Sequence, residues 1–284
     1  MKIKLRPDEN IHVDKIKIRV KNRKIPLLIL SPKERKENAP GILWIHGGGY
    51  FLGMKEMIYM SRAIDLVVKY KAVVVVPGYT LAFLKPYPAA LEDCYESLLY
   101  LKEHTKELGI NDEQIMVGGE SAGGGLCAAV CILARDKQEV NISYQMPLYP
   151  MIDNFDTDSS RDNHNKIWNT RRNHFGWKMY LRKEAKQKVS PYQAPSRLED
   201  YHDLPPAYSF VCDKEPFYDE TVTYFKKLQE AGVEAKLDIY PGLYHAFDMI
   251  EPDLELSQLA IKNFNQYFEY ALKHYYAKQK KISS

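Results

Sequence analysis

Two kinds of hydrophobic pattern divide the chain. Residues 12–20 alternate polar and apolar positions, and a second apolar stretch at 25–30 follows a basic turn at 21–24. A period-two alternation followed across a short turn by a second apolar stretch predicts an antiparallel hairpin at a sheet edge. Residues 31–40 are polar, charged and bounded by proline, the composition of a loop. From residue 42 onward the alternation gives way to short unbroken apolar runs at 42–45, 72–76, 115–117, 142–148, 207–211 and 235–240. Strands buried on both faces read this way, because helices cover each side of a parallel sheet. Helices are expected between these runs at 57–70, 89–108, 122–135 and 219–231, with a long one closing the chain at 254–277. In the second, Leu91, Cys94, Tyr95, Leu98 and Leu101 share one face. The fold class is therefore α/β, a mostly parallel sheet of about eight strands flanked by helices.

Residues 152–206 break this rhythm. They are rich in Asp, Asn, Arg and Lys and carry Trp168, Phe175, Trp177 and Tyr180, with a helix expected over 177–186. An excursion of this length between two sheet strands predicts a small cap over one end of the sheet, where connecting segments often carry function. No repeat, low-complexity tract or linker interrupts the pattern, so residues 1–284 are expected to form one domain containing that cap.

Composition excludes more than it identifies. The 284 residues can bury a sizeable core, and the net charge of +3, from 40 basic and 37 acidic residues, leaves no lysine-rich block suited to nucleic acid. Residues 1–7 alternate charged and apolar side chains, unlike a secretory signal, and no run reaches the length of a membrane span. A soluble cytoplasmic protein is the expectation. Cys127 and Cys131 stand one helical turn apart, yet no neighbouring histidine or further cysteine completes a metal site. Buried free thiols are therefore expected at these positions and at Cys94 and Cys212, with no metal.

The chemistry concentrates at Gly119-Glu120-Ser121-Ala122-Gly123, between the apolar run 115–117 and a small-residue helix. This is the G-x-S-x-G pattern of a nucleophile elbow, in which a strand turns sharply into a helix and lifts one serine above the sheet. Strand and helix pass so closely there that the outer two positions can carry almost no side chain. A serine hydroxyl also needs a base within hydrogen-bond reach and a carboxylate to orient that base. His245, in the loop after the strand at 235–240, stands where such a base belongs. His12, His104, His164, His174, His202 and His274 lie in the hairpin, in helices or in the polar excursion. The acid is expected from the loop after 207–211, where Asp213, Glu215 and Asp219 all qualify by position. Asp219 and Glu220 open a helix, whose dipole they favour, leaving Asp213 or Glu215. On the other side of the serine, the strand ending at Ile45 runs into His46-Gly47-Gly48-Gly49-Tyr50. Consecutive glycines let bare N–H groups approach a developing negative charge. His46 is read as a structural residue of that loop.

With both glycine motifs in place, the sequence resembles the hormone-sensitive lipase-like family of α/β-hydrolase esterases. His46-Gly47-Gly48-Gly49, Gly119-Glu120-Ser121-Ala122-Gly123-Gly124 and His245-Ala246-Phe247 match its three motifs in order. Similar words occur at Tyr79-Thr80-Leu81-Ala82, Pro88-Ala89-Ala90-Leu91-Glu92-Asp93, Ser190-Pro191-Tyr192 and Leu204-Pro205-Pro206. The resemblance implies the α/β-hydrolase fold, Ser121 as nucleophile, His245 as base and the N–H groups of Gly48, Gly49 and Ala122 as oxyanion hole. Its frame also implies Glu215 as the acid, in Glu215-Pro216-Phe217-Tyr218-Asp219-Glu220, where the family usually has aspartate. Residues 79–85 lack the family's usual arginine and Pro-Glu, and only about forty residues precede the oxyanion strand, where many relatives carry a helical cap. The implied activity is hydrolysis of an ester through an acyl-enzyme, with a small-molecule ester as partner and no cofactor; Tyr50, Phe51, Tyr79 and the aromatics of 152–206 are expected to crowd the pocket, which favours short-chain acyl groups. An amidase or formamidase on the same triad, and a ligand receptor without chemistry, are the alternatives. An edge strand or the terminal helix would let two copies pair as a homodimer.

Overall fold

A computed structural model describes residues 9–20, 23–34 and 37–280. The N-terminal alternation at 1–7 and residues 21–22 of the hairpin turn lie outside them. Among the described residues the strands are β1 (Ile11–Val20), β2 (Arg23–Pro32), β3 (Ala39–Ile45), β4 (Val73–Pro77), β5 (Ile110–Glu120), β6 (Tyr144–Leu148), β7 (Ala207–Cys212) and β8 (Ala235–Tyr240). They form one sheet in the order β1-β2-β4-β3-β5-β6-β7-β8. The expected hairpin is present, with β1 antiparallel to β2 and β2 antiparallel to β4; every other pairing is parallel.

Burial on both faces explains the unbroken apolar runs. Leu27 and Ile29 of β2, Leu43 and Ile45 of β3, and Val73 and Val75 of β4 enter one core. Their immediate neighbours Leu28, Leu30, Ile42, Trp44, Val74 and Val76 enter the other. Alternate side chains point to opposite faces of a strand, so two cores require two apolar sets. The flanking helices are α1 (Ala63–Tyr70), α2 (Ala89–Glu103), α3 (Thr105–Leu108), α4 (Ala122–Lys137), α5 (Asp158–Arg161), α6 (Thr170–Leu181), α7 (Tyr218–Glu230), α8 (Phe247–Ile250) and α9 (Glu255–His274). Residues of α2 and α4 fill the first core, and residues of α1 and α9 the second.

The differences from expectation have local causes. The helix expected at 57–70 is a 3-10 turn over Lys55–Met60 followed by α1, because Ser61 is extended and its hydroxyl accepts from Ala63 N at 3.0 Å. The stretch at 89–108 divides at His104, whose Nδ1 lies 2.8 Å from the Tyr100 carbonyl, and ends at the left-handed Gly109. The helix expected at 177–186 starts upstream, at Thr170, because the Asn169 side chain accepts from Arg172 N at 3.0 Å and caps it. It stops at Leu181, ahead of Arg182 with φ 55°.

The tightest packing lies where β5 meets α4. A Cβ on Gly123 would stand 2.0 Å from the Ile45 carbonyl oxygen and 2.6 Å from that of His46, and one on Gly119 would stand 2.5 Å from the Gly123 oxygen. These are backbone atoms of the end of β3, the loop that follows it and α4, which cannot swing aside. Gly123→Ala should therefore cost at least about 3 kcal/mol. That corresponds to a fall of at least about 5 °C in the melting temperature measured by circular dichroism. An unchanged melting temperature would show that the crossing can relax.

Candidate active site

Ser121 lies between β5 and α4 with φ 59° and ψ −120°, in the left-handed region that L-residues avoid. Its own backbone holds it there. Its N–H donates to the Leu148 carbonyl at 3.0 Å, and its carbonyl accepts from Gly125 N at 2.9 Å and Met151 N at 3.0 Å. A strained residue persists when its surroundings over-determine it in this way. The result is an Oγ presented 2.9 Å from His245 Nε2.

His245 is fixed from its other side. Its Nδ1 is paired with Glu215 Oε2, and the second Glu215 oxygen accepts from Cys212 N at 2.9 Å. The rings of Tyr149 and Phe217 stand edge-on to the imidazole at 5.0 and 4.9 Å. Glu215 is fully buried, and Ser121 and His245 are 7% and 3% exposed. Asp213 points elsewhere, accepting from Gly242 N at 2.7 Å to hold the turn after β8. Of the two carboxylates left open by position, Glu215 is the one brought to His245.

The glycine loop after β3 abuts the serine. A Cβ on Gly47 would lie 3.2 Å from Ser121 Cβ, and Gly48 and Gly49 have φ of 120° and 60°. Among the described residues, the N–H groups of Gly48 and Gly49 have no hydrogen-bond acceptor. Two unpaired donors beside a serine at the start of α4, with Ala122 its first residue, suit an oxygen that gains negative charge. His46 is buried, lies with Nδ1 2.8 Å from the Gly47 carbonyl and stacks on Tyr79 at 4.3 Å. Burial pushes its pKa down to about 4, so it stands neutral as a brace of the loop. Over the site lies Trp168, whose ring would be 2.2 Å from a Cβ on Gly49 and 6.4 Å from the His245 ring. Among the described residues no group of three His, Cys, Asp or Glu stands together as a metal site would require. No helix among them is long and apolar enough to cross a membrane.

A profile of the family described as α/β-hydrolase fold matches residues 42–249. The chain belongs to this family. It is a hydrolase acting on ester bonds, as the hormone-sensitive lipase-like resemblance implies. An arylesterase of Saccharolobus solfataricus is 30% identical over 237 residues, 82% of this chain and 76% of that protein. The solved structure of a bacterial heroin esterase is similar with a TM-score of 0.88 at 28% identity, covering 93% of this chain and 85% of that one. An esterase of Pyrobaculum calidifontis is similar with a TM-score of 0.82 at 30% identity, covering 89% and 83%.

Several polar residues of this α/β-hydrolase site have roles that the motifs do not announce. Trp44 Nε1 donates to Glu120 Oε2 at 2.8 Å inside the core, and Asp248 is buried with Tyr149 OH at 3.1 Å and Arg62 Nε at 3.5 Å. Burial raises both carboxyls, Glu120 to about 8. Asp219 and Glu220, expected to serve the α7 dipole, do more. Glu220 Oε1 accepts from Ile152 N at 2.6 Å and Asp153 N at 3.1 Å, while Asp219 Oδ2 accepts from Ser159 N at 2.7 Å. Both anchor the start of the β6–β7 segment. The available signal was acidic residues set among apolar ones, without any indication of their partners.

Glu120 makes stability depend on pH with a definite sign. Between its ordinary value of 4.5 and about 8 the folded protein keeps a proton that the unfolded chain has released. This group's contribution is complete below that window and declines through it, by at most about 1.4 kcal/mol per pH unit. Melting temperatures from about pH 5 to about pH 7.5 should therefore fall less steeply for Glu120→Gln than for the wild type. Parallel slopes would mean that Glu120 ionises in the folded protein as it does in the unfolded chain.

Proposed function

We propose that this α/β-hydrolase is a serine carboxylesterase for short-chain acyl esters. Ser121 is the nucleophile, His245 the general base, Glu215 its orienting acid, and the N–H groups of Gly48, Gly49 and Ala122 the oxyanion hole. The observation that carries the reading is the buried relay in which Ser121 Oγ reaches His245 Nε2 at 2.9 Å while Nδ1 is paired with Glu215. That order of groups performs acyl transfer. Nε2 takes the Ser121 proton as Oγ bonds to the ester carbonyl carbon, and the carbonyl oxygen becomes an oxyanion facing the glycine donors. Collapse breaks the ester C–O bond, and the protonated imidazole gives its proton to the departing alcohol. Water then attacks the acyl-enzyme with His245 again as base, and the carboxylic acid leaves with Ser121 restored. Glu215 holds the tautomer that leaves Nε2 free to accept, and stabilises the imidazolium.

The preference for short acyl groups rests on crowding. Trp168 closes over Gly49, Phe51 stands 6.4 Å from the Trp168 ring, and Tyr50 is locked by its hydroxyl to the Met151 carbonyl at 2.6 Å. In the same reading residues 152–206 are the cap of a single domain spanning 1–284. The four buried free cysteines support a reducing, cytoplasmic setting.

Hydrolysis of p-nitrophenyl esters from acetate to laurate tests these assignments. Ser121→Ala should reduce kcat by about 10⁴-fold or more. Glu215→Gln should cost about 10²- to 10⁴-fold, and Asp213→Asn less than about threefold. Rates should fall beyond the short acyl chains. A larger loss from Asp213→Asn than from Glu215→Gln would overturn the acid assignment, and a rate climbing steadily past octanoate would overturn the short pocket. Faster turnover of the matching anilides would make the protein an amidase.

A further inference from the structure

The outer side of α6 carries a feature that ester hydrolysis does not use. A groove of about 1120 Å³ runs along it, between the helix, residues 154–156 and residues 182–186. Arg171, His174 and Lys178 recur down this side at helical spacing and Arg182 follows just past the helix end, while Gly176, Trp177 and Tyr180 of the same helix are buried. The groove is lined by six cations, Arg171, Arg172, Lys178, Arg182, Lys183 and Lys186. None of them has an ion-pair partner among the described residues. Arg172 and Arg182 are spread by hydrogen bonds to the carbonyls of Lys166 and Ile167 and of Ala82, which order the guanidinium groups without neutralising them. Asp156, the acidic member of the lining, is held by His174 Nε2 at 2.7 Å.

The walls are as informative as the charges. Phe155 and Phe175 line the groove and are 38% and 48% exposed. Lysine and arginine stems add methylene surface while their charged heads reach outward. Trp177 and Asn154, also in the lining, each leave a buried polar atom without a partner, Nε1 and Oδ1. A concave apolar surface with clustered uncompensated cations focuses positive potential and offers charge-assisted hydrogen bonds to an anionic head. A bare inorganic anion would leave the aromatic walls unused. An uncharged apolar molecule would leave the cations unpaired.

We infer that this groove is a binding site for a soluble amphiphilic anion, a phosphate or carboxylate head carrying an apolar tail. The head lies among Arg171, Lys178 and their basic neighbours, and the tail along Phe155, Phe175 and Trp177. Trp177 itself packs toward the interior. Its ring lies 5.4 Å from that of Tyr50, the Tyr50 hydroxyl bonds the Met151 carbonyl, and Met151 N bonds the Ser121 carbonyl.

The test is titration of the full-length protein with octyl phosphate, followed by calorimetry and by tryptophan fluorescence, with inorganic phosphate and octanol as separate arms. Octyl phosphate should saturate one site per chain, with each half-ligand at least about tenfold weaker. Arg171→Glu with Lys178→Glu should weaken octyl phosphate binding at least about tenfold while hydrolysis of p-nitrophenyl acetate is unchanged. If that double variant fails to fold, Lys178→Ala alone should still weaken binding measurably. Equal affinity for inorganic phosphate and octyl phosphate would reduce the groove to a charged surface and overturn the proposal. Binding that survives the charge changes would place the ligand elsewhere and overturn it as well.

Discussion

The contact of the Gly123 backbone with the Ile45 carbonyl is the constraint from which the site follows. It brings the end of β3, the end of β5 and the first turn of α4 to one point without an intervening side chain. Residues 46–49 follow directly from β3, and Ser121 follows directly from β5. One backbone crossing therefore sets the glycine N–H groups and the serine hydroxyl relative to each other. The third strand of the group, β6, and the turn after it complete the lock, because Leu148 and Met151 both bond to the Ser121 backbone. The left-handed serine is thus held by three strands and a helix, and its strain cannot relax without moving the sheet.

The buried carboxyls around this crossing differ in how they are satisfied. Glu215 has a backbone N–H on one oxygen and the His245 ring on the other. Glu120 has the Trp44 indole on one oxygen, and its second oxygen is buried without a hydrogen-bond partner. Desolvation then favours the neutral acid at Glu120. Glu120 and Glu215 differ in the partners that packing brings to them, which residue identity does not carry.

The parts legible in the sequence are those written in local pattern. The change from alternating to unbroken apolar runs marks the doubly covered part of the sheet, which begins within the hairpin at β2, since Leu27 and Leu28 each need a core of their own. The elbow was legible because its glycines answer a steric demand within five residues. Asp213 and Glu215 could not be separated by position, because two residues in one loop differ only in how the turn aims them. Asp213 goes to Gly242, and Glu215 goes to His245. The start of α6 was missed because its signal is one capping side chain, Asn169, inside a segment with little apolar periodicity. Glu120, Arg62 and Asp248 were unreadable as a cluster, since they meet only through tertiary packing.

The six residues from Glu215 to Glu220 tie the His245 contact to the β6–β7 segment. Glu215 holds His245, and Phe217 places its ring 4.9 Å from the imidazole and 6.3 Å from Trp168. Asp219 bonds the backbone of Ser159, and Glu220 bonds those of Ile152 and Asp153. One turn and the first residues of α7 therefore fix the imidazole from below and the β6–β7 segment from above. A shift of that turn large enough to re-aim the carboxylate would also release the anchors of the segment that carries Trp168. The same turn therefore sets both the orientation of the His245 ring and the start of the segment that carries Trp168.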